Sequence, residues 1–188
     1  IIGLIIICVL PSELNNNKVL DVSDVSNKSG ANVQLWDSVN GDNQKFNITY
    51  MGNGYYSIEA LHSGKVLDIE NGSQNNGENV QQYMSNGTDA QRWIISDAGN
   101  GYYNIISKRN GLYLDVSGGN TSNGTNIQVY TGNGTNSQKF KFIKVGKKTI
   151  EDGIYTIATS LDTNKVLDVS GTDTSSGANI QIWDKANV

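Results

Sequence analysis

One cysteine, one proline and one histidine occur in 188 residues, and each shortage excludes something. Cys8 alone cannot form a disulfide within the chain. Secretion stays open, because a domain of this size does not need covalent staples. A lone histidine rules out a multi-histidine metal cluster, and a Ser-His-Asp triad would have to centre on His62. His62 lies between Leu61 and Ser63, just before a strand candidate, and reads as a surface turn residue. Aromatic residues make up 8% and charged residues 17%, and Asn, Ser, Thr and Gly fill much of the rest. That balance suits short strands joined by polar turns. No stretch sustains a helical period. A net charge of −4 leaves no basic stripe for phosphates, which argues against a nucleic-acid partner. The basic pair Lys147-Lys148 reads as part of a solvated linker.

Long apolar runs are also missing. The longest is residues 1–10, far short of the roughly 20 residues that span a bilayer. Two readings of it stand side by side. It has the length of a signal-peptide apolar core, or it contains the buried first strand of the domain. A lipoprotein reading of Cys8 fails for want of a small residue before it. The absence of an initiator Met reads as a piece of a longer protein.

What the chain has in quantity is repetition. Lys18-Val-Leu-Asp-Val-Ser23 precedes Gly30-Ala-Asn-Val-Gln-Leu-Trp36. Lys65-Val-Leu-Asp-Ile69 precedes Gly77-Glu-Asn-Val-Gln-Gln-Tyr83, and Leu112-Tyr-Leu-Asp-Val-Ser117 precedes Gly124-Thr-Asn-Ile-Gln-Val-Tyr130. A fourth copy sets Lys165-Val-Leu-Asp-Val-Ser170 before Gly177-Ala-Asn-Ile-Gln-Ile-Trp183. Forty-seven residues separate Asp21 from Asp68 and Asp68 from Asp115, but 53 separate Asp115 from Asp168. A period of this size marks a repeat architecture. The break falls near residues 145–152, a charged, Gly-containing stretch that reads as a linker.

Each full unit holds four strand candidates. Gly54-Tyr-Tyr-Ser-Ile58, the Val-Leu-Asp-Val run and the Val-Gln-Leu-Trp run are followed by a Gln-x-aromatic strand at 44–48, 91–95 and 138–142. Asn-Gly pairs between them suit tight turns. Strand alternation then assigns faces. Leu20, Val22, Val33 and Leu35 point to a core, with Phe46, Trp93 and Phe140 beside them. Asp21, Gln34 and Trp36 are expected to stand outside together. The first repeat has no Gly-Tyr-Tyr strand, so either Cys8-Val-Leu10 or the later stretch 153–159 must fill that place. The result is an all-β reading: three repeats of about 47 residues closing over 1–146, plus a partial fourth repeat over 147–188. The fourth copy is most like the first and suggests a linker followed by the truncated first repeat of a second tandem domain.

These residues resemble the ricin B-type lectin family, also described as family 13 carbohydrate-binding modules. The resemblance covers about 16–183 and rests on the repeated Asp…Gln-x-aromatic unit and the Gln-x-aromatic strands. It implies a β-trefoil with up to three shallow sugar sites, one per repeat. It further implies sugar contacts from the Asp, the aromatic, and an Asn-Gln pair at the last strand. The first repeat matches throughout, with Asp21, Gln34, Trp36, Asn43 and Gln44. The second has Asp68, Gln81, Tyr83 and Gln91, with Ala90 in the Asn place. The third has Asp115, Gln128, Tyr130 and Gln138, with Ser137 in that place. The fourth has Asp168, Gln181 and Trp183 only.

The chemistry fits independently of the family. A carboxylate accepts from two neighbouring hydroxyls, as a vicinal diol requires. An aromatic face covers the C–H side of a sugar ring. Asp21 with Trp36 reads first as sugar contact. Gln34, Gln44 and their counterparts read first as braces within the repeat. Paired-carboxylate catalysis fits poorly, because the recurrent Asp residues belong to separate repeats and are expected to be exposed. The expectation is a non-catalytic module of a larger secreted bacterial protein, a glycoside hydrolase or a toxin. It would bind glycans or polysaccharides, of the galactose or xylan type that the resemblance implies, with no cofactor, no metal and no membrane span. The competing class is a trefoil used for protein–protein contact.

Overall fold

The structure is a computed structural model that describes residues 6–146, 156–159 and 161–185. It divides into two compact units, Ile1–Gly146 and Lys147–Val188. The first unit begins with β1 (Ile6–Val9), β2 (Pro11–Ser12), β3 (Asn15–Val22), β4 (Ala31–Asp37) and β5 (Phe46–Gly52). It continues through β6 (Tyr55–Ala60), β7 (Val66–Ile69), β8 (Glu78–Tyr83) and β9 (Trp93–Gly99). The last strands are β10 (Tyr102–Ser107), β11 (Tyr113–Val116), β12 (Thr125–Tyr130) and β13 (Ile143–Lys144).

All pairings are antiparallel, and most fall into two groups that β2–β3, β6–β7 and β10–β11 join. β1 pairs with β5 and β13, β5 with β6, β6 with β9, and β9 with β10. Bridges from Phe140 to Tyr103 and Ser12 close this ring, so no barrel edge is left open. Of the remaining seven strands, β2 pairs with β3, and six form three hairpins, β3–β4, β7–β8 and β11–β12. These meet one another through β4–β8, β8–β12 and β12–β4 around a pseudo-three-fold axis. This is a β-trefoil, as the family resemblance implied, built on the three all-β repeats that the period predicted.

The axis explains one recurring glycine. Gly30, Gly77 and Gly124 each donate a backbone N–H to the neighbouring repeat, to the carbonyls of Gln82, Val129 and Leu35 at 2.8–2.9 Å. All three have φ between +80° and +86°, a conformation that disfavours a side chain. The glycine nine residues after each Asp is therefore a joint between repeats.

Leu20, Val22, Val33, Leu35 and their counterparts fill the core, with Phe46, Trp93 and Phe140 fully buried at its base. Two sequence expectations need correction here. The Gln-x-aromatic strands do not begin at Gln. Gln44, Gln91 and Gln138 instead close 3-10 turns at Asp42–Gln44, Asp89–Gln91 and Asn136–Gln138. Each side-chain carbonyl accepts a loop N–H, from Val39, Asn86 and Asn133, which bends the chain before the aromatic. In the third repeat the strand reduces to Ile143–Lys144, with Phe140 making only isolated bridges.

The first repeat's opening strand is β1. The Leu10 carbonyl accepts from Leu20 N at 3.1 Å, and Pro11 pairs with Val19. Residues 158–159 pair elsewhere, so the alternative filler is set aside. Cys8 is buried in this core, and burial pushes its thiol up, partly offset by the charge of Lys144. His62 sits in the turn after β6 as expected, and its Nε2 donates to the Ser26 carbonyl at 3.0 Å.

The second unit is a three-stranded sheet of β14 (Ala158–Thr159), β15 (Asp162–Val169) and β16 (Ile180–Asp184). The linker expectation for Lys147-Lys148 lies outside the described residues. So do residues 153–155 of the stretch 153–159 that was the other candidate opening strand.

Candidate functional site

Each hairpin ends in a 3-10 turn with two successive residues in the left-handed region, Asp24 and Val25, Asn71 and Gly72, or Gly118 and Gly119. That turn, the aromatic at the end of the second hairpin strand, and the loop before the Gln turn enclose a shallow depression. The first, of about 380 Å³, is lined by Asp21, Gln34, Trp36, Val39 and Asn43, among others. The second, of about 460 Å³, includes Asp68, Gln81, Tyr83, Asn86 and Arg109. The third, of about 410 Å³, includes Asp115, Gln128, Tyr130, Asn133 and Ser137.

The carboxylate is the hub of each depression. Gln34 Nε2 donates to Asp21 Oδ1 at 3.0 Å. Asn43 Nδ2 and Gln44 Nε2 both donate to Oδ2, at 2.8 and 2.9 Å. In the second repeat Gln81 Nε2 reaches Asp68 Oδ1 at 2.9 Å and Gln91 Nε2 reaches Oδ2 at 3.0 Å. In the third, Gln128 and Gln138 do the same to Asp115 at 2.9 and 3.0 Å.

The carboxylates are consequently not exposed, contrary to the sequence expectation. Asp21 is 4% exposed and Gln34 9%. Strand alternation does turn them away from the apolar core. The 3-10 turns then fold over them, and amide donors replace the water they would otherwise need. Burial pushes the Asp68 carboxyl up, the amides of Gln81 and Gln91 pull it part of the way back, and the charge of Glu70 adds to the rise. Burial also raises Asp115, against the amides of Gln128 and Gln138.

The predicted residues divide by depth. Trp36, Tyr83 and Tyr130 stand at the rims, with Trp36 37% exposed. The Asp residues and Gln34, Gln81 and Gln128 form the floors. Gln44, Gln91 and Gln138 lie behind the carboxylates, each also bonded to a loop carbonyl, and act as braces. Asn43 donates to both Asp21 and the Val22 carbonyl. A carboxylate has about four acceptor positions. Asp21 has three amide donors, while Asp68 and Asp115 have two each, which leaves them more capacity for a ligand hydroxyl. In the second unit Gln181 Nε2 donates to Asp168 at 3.1 Å, and Trp183 is exposed beyond it.

Several lining residues escaped the motif reading. Val39, Asn86 and Asn133 stand 47 residues apart, as do Asp24, Asn71 and Gly118, so the repeat period would have located them. Arg109 carries no such signal, because the position 47 residues earlier is His62. Among the described residues no cluster of three or more His, Cys, Asp and Glu could hold a metal ion. Nor, among them, is any helix long and apolar enough to cross a membrane.

A three-fold barrel and cap with one aromatic-rimmed, amide-braced carboxylate per repeat defines a lectin-type β-trefoil. A family model described as ricin-type beta-trefoil lectin domain-like matches residues 12–83, 42–130 and 89–183. The chain belongs to this ricin-type β-trefoil lectin family. Membership supports carbohydrate binding as its general function, in a fold that is typically non-catalytic.

Among solved structures it is similar to the designed three-fold symmetric protein ThreeFoil. That match has 38% identity and a TM-score of 0.73 over 74% of this chain and 99% of the other. It is also similar to an exo-beta-1,3-galactanase from Clostridium thermocellum, at 33% identity and a TM-score of 0.72. That match covers 74% of this chain but 30% of the galactanase. A mosquitocidal holotoxin matches at 25% identity and a TM-score of 0.71, over 95% of this chain and 21% of its own. Comparison with curated proteins finds no match.

Proposed function

We propose that the first unit is a non-catalytic glycan-binding module of a larger secreted bacterial protein, of the family 13 carbohydrate-binding type. The observation that carries this reading is the buried carboxylate presented at the floor of a shallow, aromatic-rimmed depression, three times over. Asp68 and Asp115 accept a vicinal diol through the lone pairs their two amide braces leave free, and Asp21, with three braces, accepts a single hydroxyl. The rim aromatic covers the apolar face of the sugar ring. Galactose-type glycans are the first candidates and xylan-type the second. The likeness to a galactanase supports the first, and the short share of that enzyme and of the holotoxin that is matched supports attachment to a catalytic or toxin domain. Each depression is open and binds weakly alone. Three on one polymer raise avidity by on the order of 10²–10⁴ where spacing permits.

Asp21→Ala is a poor probe of binding, because it strips three buried amides of their acceptor. Trp36→Ala removes a rim group instead. Retention on galactan and xylan columns, compared between the native chain and Trp36→Ala, tests the reading. Native retention that weakens roughly tenfold in the variant supports it. No retention on any glycan, or equal retention in both, favours a protein–protein module.

A further inference from the structure

The second depression has a chemistry that the other two do not share. Ala90 stands where the first repeat has Asn43, so Asp68 lacks one amide donor. Arg109 occupies that edge instead. It comes from the turn between β10 and β11, in the next repeat, and its Nε donates to the Gly72 carbonyl at 2.8 Å. Asn110 beside it donates from Nδ2 to the Ser73 carbonyl at 3.1 Å, which clamps the turn against the 3-10 loop. A Cβ built on Gly72 would lie 3.9 Å from Arg109 Nε and 4.0 Å from the Ala90 Cβ, so the three meet at one wall.

Nε is thereby fixed, while the two Nη groups have no hydrogen-bond partner among the described residues. The nearby acids are already engaged. Asp89, which lines the same depression, pairs with Lys108 at 2.9 Å and Arg92 at 3.4 Å and feels the charge of Arg109 as well, and Glu70 accepts from Asn79 at 3.1 Å. Neither of the other two depressions is lined by a cation. The turn over the first carries His62, whose Nε2 is bonded to Ser26.

We infer that the second depression selects an acidic sugar, a uronic-acid residue, through Arg109. A guanidinium fork presents two parallel N–H groups, which match the two oxygens of a carboxylate. Asp68 holds the sugar diol at the floor, and Arg109 Nη1 and Nη2 hold the carboxylate at the wall. The clamp on Gly72 fixes the fork in place, so little side-chain entropy is lost on binding. The fork adds to the donor set where the missing Asn took one away. This inference rests on the glycan-binding reading and assigns a substrate class to one of its three sites.

The test is a backbone-amide NMR titration of the full chain with digalacturonate, galactobiose and a sulfated galactobiose, following residues 71–72 and 86–89 at the second depression, Asp24, Val25 and Val39 at the first, and Gly118, Gly119 and Asn133 at the third. Digalacturonate should move these amides at lower concentration than galactobiose does. Arg109→Gln should weaken digalacturonate roughly tenfold, with galactobiose binding at the first and third depressions unchanged. Arg109→Lys should fall between, since it keeps the charge and loses the fork. Screening gives a second measurement free of mutation: digalacturonate affinity should fall from low to molar salt, and galactobiose affinity should hold.

Unchanged digalacturonate binding in Arg109→Gln overturns the inference. So does equal or tighter binding of galactobiose or the sulfated sugar at this depression. Galactobiose binding at the first and third depressions, without digalacturonate at the second, sinks this inference alone. No response to any of the three sugars overturns the glycan-binding reading and this inference with it.

Discussion

Residues 17–23 and 164–170 are the same seven amino acids, Asn-Lys-Val-Leu-Asp-Val-Ser, placed in different surroundings. Locally the two copies behave alike. Each forms a strand with the same partner register, Lys18 opposite Asp37 and Lys165 opposite Asp184, through Val22–Val33 and Val169–Ile180. Each closes the same ion pair, at 2.7 and 2.6 Å, and turns into a 3-10 loop. Burial separates them. Leu20 is fully buried and Leu167 is 50% exposed; Leu35 is fully buried and Ile182 is 55% exposed. The hub differs too: Asp21 has three amide donors and Asp168 one. Hairpin and register are thus encoded within the unit. Core and site need the other repeats, which cover the apolar face and supply the joints at Gly30, Gly77 and Gly124.

The strongest way to break this comparison is to truncate both leucines. Leu20→Ala should destabilise the first unit by about 2–5 kcal/mol, the range for a buried leucine. Leu167→Ala should stay within about 0.5 kcal/mol, as at exposed positions. Urea denaturation of the full chain measures both, and similar losses would show that the second unit buries its face after all. The next effect belongs to the hub. Asp21→Ala strands three amides and should cost about 3 kcal/mol, while Asp168→Ala frees a single amide with access to water and should cost far less. The same denaturation series checks it.

Binding sharpens the contrast further. Trp36→Ala should weaken retention on polysaccharide roughly tenfold and Trp183→Ala should leave it unchanged, because Gln181 alone does not fix the Asp168 carboxylate in position as the paired amides do in the first three repeats. Equal losses would make the fourth copy a working site.

Acidity probes the depth of the hubs. The carboxyls of Asp68 and Asp115 are raised by burial, so the folded chain holds protons that the unfolded chain has released. Their contribution to stability is greatest below the ordinary carboxylate value and is lost as pH rises through the raised values. Asp68→Asn should flatten that decline from about pH 4 upward, read as urea midpoints across pH. An unchanged slope would place Asp68 closer to water than its burial indicates.

The smallest effect restores a missing donor. Ala90→Asn should add an amide to Asp68 and stabilise the first unit by about 1 kcal/mol, visible as a small rise in the urea midpoint. No rise would show that Asn43 and position 90 are not equivalent.

Much of the fold was legible because the period is strict. Forty-seven-residue spacing, the Val-Leu-Asp-Val and Val-Gln-Leu-Trp runs, and Asn-Gly turns lead to three repeats of short strands. Period-2 alternation placed Leu20, Val22, Val33 and Leu35 in the core correctly. The same alternation misjudged Asp21, since facing away from one core does not mean facing water. A loop closes over it, and loops do not follow the strand period. Gln44, Gln91 and Gln138 were read as strand residues, but each hydrogen-bonds into the loop before it and bends the chain.

By itself, the sequence determined the hairpin strands, the repeat spacing and the identity of the recurrent Asp, Gln and aromatic residues, because these depend on neighbours within one hairpin. Tertiary structure alone decided the depth of each residue, since burial is set by what another repeat lays on top. It turned Asp21 into a buried hub and left the chemically identical Asp168 with one brace. It also brought Arg109 from the third repeat to the wall of the second depression, a pairing 37 residues apart that no local pattern announces.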